Sequence, residues 1–182
     1  HDFERELYRR GADPTETLKG YLEILLEKLN GQFHCVLFDC PPGFGTSSRT
    51  ALRMSDHIVS PTIVDYTSMR SLQDFVTLGL QGTLNLNNLE NMHVVVSKYS
   101  GTNSQQQALG VLRGAYRVCE PAIPMRDQVQ IVAERHATRM RTYSQKYGRP
   151  LMRPLKPHIK GMADALYGAI FANNESSEER SP

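Results

Sequence analysis

A chain of 182 residues, 40% of them hydrophobic, is the size of one ordinary domain with material for one substantial core, which excludes two full domains. Its net charge of +2 names no partner, and its three cysteines, Cys35, Cys40 and Cys119, odd in number and without CxxC spacing, exclude a disulfide scaffold and fit a reduced, cytoplasmic setting. No apolar run approaches the roughly 18 residues that span a bilayer, and the opening HDFERELYRRGADP lacks a signal-peptide core, so the chain reads as soluble with no membrane partner.

In chain order, Leu18, Tyr21, Leu22, Leu25, Leu26 and Leu29 recur at three- and four-residue spacing, with charged residues between them, and predict an amphipathic helix. Asp13 supplies its N-cap, Pro14 its first position and Glu16 the capping-box acid, and Asn30-Gly31 stops it. Three short apolar runs, 34–39 (HCVLFD), 57–64 (HIVSPTIV) and 92–98 (MHVVVSK), with a weaker fourth at 119–124 (CEPAIP), are too short for helices and predict strands. Helix-like stretches at 47–55, 68–82 and 104–117 separate them. Continuous apolar strands alternating with helices imply an α/β fold, a mostly parallel sheet with helices on both faces.

The last third predicts helices over 127–136 and 156–172, the second with Ile159, Met162, Ala163, Leu166, Ala169 and Ile170 on one face. Between them runs the Pro- and Gly-punctuated basic connector SQKYGRPLMRPLKP. The expected organisation is a single domain over 1–172 followed by a disordered polar tail over 173–182.

The richest stretch is CVLFDCPPGFGTSSRTAL, residues 35–52. Asp39 ends an apolar run at the carboxyl end of a predicted strand, where parallel α/β sheets collect ligands. Pro41 and Pro42 stiffen the turn, and Gly43 allows close approach of the backbone, so main-chain donors are available to a phosphate oxygen. A carboxylate beside a phosphate is repelled unless Mg2+, or a water it orients, lies between them. An Asp near Pro at a strand end is also a common turn former.

The run HCVLFDCPPGFGTSSRTALRMSDHIVSPTIVDYTSMRSLQDF resembles the second half of the deviant-Walker P-loop ATPases of the ParA/MinD group, whose Walker B and switch II region reads as an apolar strand, D-x-P-P, a short helix, a second strand and a helix. The likeness continues through VVVSKYSGTNSQQQALGVLRGAY and IPMRDQVQIVAE, about 130 residues in all, from near 33 to near 165. It implies ATP and Mg2+ as cofactors. Asp39 would act on the Mg2+-bound water shell or the attacking water, and Pro41, Pro42 and Gly43 would sense the γ-phosphate. Ser97 or Lys98, with Pro124, Arg126 and Asp127, would lie near the adenine.

One departure is large. The family's phosphate-binding loop, with its G-K-T/S ending and signature lysine, is absent: GFGTSS at 43–48 has two glycines but no lysine and follows the wrong strand. In the family fold the loop-bearing strand lies beside the strand ending in Asp39, and its loss leaves backbone groups unpaired. The expectation is a C-terminal portion of a longer ATPase, inactive alone; the alternative is a non-catalytic relative that dimerises or binds DNA.

Residues 126–160 hold nine Lys/Arg against Asp127 and Glu134, a local charge of +7. A solvated face accounts for such a run, and so does salt-sensitive contact with a DNA backbone, for which Arg135, Arg139, Arg141, Lys146 and Arg149 are the candidates. Partition-type relatives bind DNA non-specifically as ATP-bound homodimers and work with a centromere-binding adaptor, on the bacterial nucleoid. Other branches fit less well. The tail carries Glu175, Glu178 and Glu179 rather than a basic membrane helix, and there is neither the CxxC of iron–sulfur carriers nor a terminal tyrosine cluster. The six histidines show no metal-ligand spacing.

Overall fold

A computed structural model describes residues 6, 9, 11–41, 43–126 and 153–178, with side chains to residue 171. The fold is α/β, a three-stranded parallel sheet flanked by helices. The residues divide into two compact units, His1–Asp56 with Leu78–Leu86, and His57–Thr77 with Asn87–Pro182.

The first unit is helical. Helix α1, Pro14–Leu29, starts where Asp13 accepts a hydrogen bond from the Thr15 N–H at 2.8 Å and Pro14 presets the backbone. Its apolar face is only partly covered: it packs on helix α2, Thr46–Met54, while Tyr21, Ile24 and Leu25 stay exposed. Helix α2 buries Thr46, Ser48, Thr50 and Ala51. The run at 34–39 corrects the expectation of a strand: it forms no ladder, and Phe33, Val36 and Leu37 stand exposed, Leu37 at 85%. An extended segment becomes a strand only when a neighbour takes up its N–H and C=O groups, and here none among the described residues does.

The second unit carries the sheet, in the order β1 (Ile58–Ile63), β2 (Met92–Ser97), β3 (Arg117–Cys119). Strand β2 is central, with Val59 and Arg117 flanking His93 in register. Met92 to Val96 are all buried, as a β-branched run paired on both sides should be. Each such side chain contributes about 1.5–3 kcal/mol when fully removed from water. On β1 the Ile58 N–H donates to Asn91, so the backbone groups of Val59, Pro61 and Ile63 face the outer edge. Pro61 therefore lacks a donor where no ladder bond to β2 is lost. The weak fourth run appears two residues early as β3, followed by a single bridge from Tyr99 to Pro124.

Helix α3, Tyr66–Asp74, follows β1, capped by Asp65, and widens into a π-helix over Phe75–Thr83 that crosses from the second unit to the first. Within the first unit, Gly79 lies where a Cβ would come within 3.1 Å of the Phe44 ring. Helix α4, Asn103–Ala115, capped by Thr102, buries Leu109 and Leu112. Helix α5, Lys156–Glu178, continues past the 172 limit read from its pattern. A Cβ on its Gly161 would fall 2.8 Å from Pro121, so the close approach of helix and loop requires glycine there. The predicted helix at 127–136 lies outside the described residues.

Candidate functional site

Two groups of sequence-predicted residues fall in the two units. In the first, Asp39 ends the unpaired apolar segment and is exposed, and no hydrogen bond or ion pair among the described residues holds its carboxylate. The chain then turns through Pro41 to Gly45 into α2. Gly43 has φ of +101°, open to glycine and strained for other residues, so the turn is built on that position. The Ser48 hydroxyl donates to the Pro41 carbonyl at 3.4 Å, tying the helix back onto the turn. Gly45, the N-cap, makes no side-chain capping bond, so α2 offers its first turn without a competing side-chain acceptor. Pro42 lies outside the described residues.

A second carboxylate, Asp65, lies two residues beyond the carboxyl end of β1. Asp65 caps α3, accepting from the Ser68 N–H at 2.8 Å and the Ser68 hydroxyl at 2.9 Å. These bonds hold its pKa below the ordinary carboxylate value, the Ser68 backbone N–H most of all and then the Ser68 hydroxyl. Asp65 is thus committed to its helix, while Asp39 is available.

In the second unit the backbone brings Ser97, Lys98 and Pro124 together. Ile123 donates to the Val96 carbonyl at 2.8 Å, Tyr99 donates to Ile123 at 3.1 Å, and Met125 donates to Tyr99 at 2.8 Å. Ser97 is itself engaged, its hydroxyl donating to the Thr62 carbonyl at 3.3 Å. Lys98 is exposed with φ of +53°, a turn conformation at the strand end. Arg126 is exposed two residues beyond Pro124. Asp127, Arg135, Arg139, Arg141, Lys146 and Arg149 lie outside the described residues.

Sequence reading passed over Arg49. It sits one turn into α2, half-buried, with an Nε that has no hydrogen-bond partner among the described residues. A buried charged donor left unpaired is costly, and an anionic oxygen would satisfy it. The only sequence signal was its place in SSRT, directly after the turn.

Measured against Mg2+ and a nucleotide, these residues fit one side only. A free carboxylate, a glycine-built turn and a helix start suit a metal-bound water and a terminal phosphate oxygen. Nothing in the 182 residues has the form of a loop that wraps the remaining phosphates. Among the described residues no three His, Cys, Asp or Glu side chains converge on a metal position, and no helix is long and apolar enough to cross a membrane.

A protein-family model described as an AAA domain matches residues 3–99, which takes in Asp39, the turn, α2, β1, α3 and β2. None of the curated proteins matches the chain.

Proposed function

Because the chain belongs to the AAA-domain family, a P-loop NTPase-like grouping that uses a nucleotide and Mg2+, we propose that it supplies the water-orienting and γ-phosphate-sensing half of an ATPase site of the ParA partition type. The observation that carries this reading is the available Asp39 carboxylate directly ahead of the Gly43 turn and the α2 N-terminus. In this reading Asp39 accepts a hydrogen bond from a water on Mg2+ or from the attacking water, which fixes that water's orientation. Main-chain N–H groups of the turn and of α2 meet the terminal phosphate. Mg2+ bound with ATP would supply charge neutralisation on the transferring phosphoryl group. By the resemblance to the partition ATPases, Ser97 or Lys98, with Pro124, Arg126 and Asp127, would serve the adenine.

The same proposal assigns DNA contact to Arg135, Arg139, Arg141, Lys146 and Arg149, supported by the +7 segment. It also includes an ATP-dependent homodimer and a centromere-binding adaptor, as in relatives of the partition type. The test is a chimaera in which a partition ATPase's loop-bearing strand precedes residue 1. Turnover that falls by about a hundredfold or more in Asp39→Ala, with DNA retention that weakens steeply as salt rises, supports the proposal. A chimaera that binds ATP yet turns over equally well without Asp39 contradicts it.

A second reading is a non-catalytic DNA-binding module of the same fold, supported by the +7 segment. DNA retention by the unmodified chain that is indifferent to nucleotide distinguishes it.

A further inference from the structure

The second unit holds a pair of histidines that the proposed site does not use. His57, the residue just before β1, and His93, second in β2, face each other with His57 Nδ1 and His93 Nε2 at 3.1 Å. The ring centroids are 5.3 Å apart and the planes differ by 22°. That separation is what two imidazoles reach when joined nitrogen to nitrogen along the line of centres. The contact is therefore a head-to-head N–H···N hydrogen bond rather than a face-to-face stack.

Such a bond needs one proton between two nitrogens. With no added proton, one ring donates and the other accepts. With one added proton, it goes to an outward-facing nitrogen, and the bond persists as a stronger, charge-assisted one. With two, both facing nitrogens carry hydrogen, no lone pair remains between them, and two like charges oppose each other.

The surroundings resist the second proton. His93 is 1% exposed, and its pKa is lowered by burial first, then by His57 and Arg117. Val59 on β1 and Arg117 on β3 are its register partners. The groups whose charge acts on it among the described residues, His57 and Arg117, are both basic. His57 is half-buried, the less enclosed of the two rings.

We infer that His57 and His93 form a proton-counting latch that fastens the entry of β1 to β2, closed with no or one added proton and open with two. Strand β1 is an edge strand, hydrogen-bonded to β2 alone among the described residues. Its ladder begins at the Ile58 N–H to Asn91 bond, one residue past the latch, so opening frays β1 from that end. The direction with pH follows from linkage. In the unfolded chain His93 takes its proton near the ordinary value of 6.5, and in the fold only at lower pH. Stability from this residue is therefore complete above that value. It falls as pH drops from there toward the folded pKa, because only the unfolded chain binds the proton in between.

The test is amide hydrogen exchange, as protection factors, on the full chain from about pH 8 to about pH 5, together with 15N imidazole NMR. Protection at Ile58 and Ser60 should fall relative to Val94 in that window. His57→Gln, which hydrogen-bonds without titrating, should flatten the fall. Protection should drop by about tenfold for each pKa unit that His93 is lowered. The NMR titration of the unmodified chain should show His93 taking its proton below the ordinary histidine value. Two histidines that titrate independently near the ordinary value overturn the inference, as does an identical protection profile in His57→Gln. Should the variant not fold, the NMR titration decides alone.

Discussion

Two apolar runs of nearly equal length have opposite fates in this chain. Met92–Ser97 is the central strand, its first five residues buried. Residues 33–39, with Phe33, Val36, Leu37 and Phe38, form no strand and leave most of their side chains in solvent. Their compositions would predict the same thing. What separates them is company: β2 has a parallel partner on each edge, and the segment ending in Asp39 has none among the described residues. Apolar sequence makes a segment suitable for a sheet, but hydrogen-bonding neighbours make it a strand.

The sharpest way to break that comparison is to put the same charge into both runs. Val94→Asp places an unpaired carboxylate at a position with no solvent exposure and should cost several kcal/mol, seen as loss of a cooperative urea transition. Leu37→Asp, at a side chain 85% exposed, is the counterpart and should change the unfolding free energy read from the urea transition by no more than about 0.5 kcal/mol. Comparable losses at both sites would show that the 33–39 segment is packed after all.

Smaller changes sharpen the contrast between the units. Gly161→Ala forces a methyl against the Pro121 ring and should destabilise by about 1–3 kcal/mol, read as a lowered thermal midpoint. Asp13→Ala removes the cap of α1 and should cost about 1 kcal/mol, visible as reduced helicity by circular dichroism. An Asp13→Asn variant, which keeps the acceptor, should recover most of that loss.

How much of this was legible in the sequence depended on whether the signal was local. Helix α1 was readable to the residue because Asp13, Pro14 and Asn30-Gly31 act on their own neighbours. Strands β1 and β2 were readable from β-branched runs too short for helices. The run at 34–39 was misjudged because pairing depends on residues elsewhere, which no local pattern reports. β3 was displaced because Pro121, without an N–H, cannot extend the ladder that Arg117 to Cys119 begin. The widening of α3 into a π-helix had no local signature: FVTLGLQGT reads as ordinary helix.

The candidate site divides in the same way. Asp39 and the Gly43 turn were visible because a carboxylate after an apolar run, followed by prolines and glycine, is a local pattern. Arg49 was not, since an unsatisfied Nε is a property of surroundings. That Asp65 is tied to Ser68 while Asp39 is not also needed the folded chain, and it is what separates a cap from a candidate catalytic group.

The central proposal is that the Asp39 turn is the water-orienting half of a nucleotide site whose phosphate-binding loop is not written in these 182 residues. Its most direct test is phosphate release from ATP by the 182-residue chain with Mg2+. The account predicts no release above the protein-free background. Saturable turnover by this chain alone, abolished in Asp39→Asn, would contradict it.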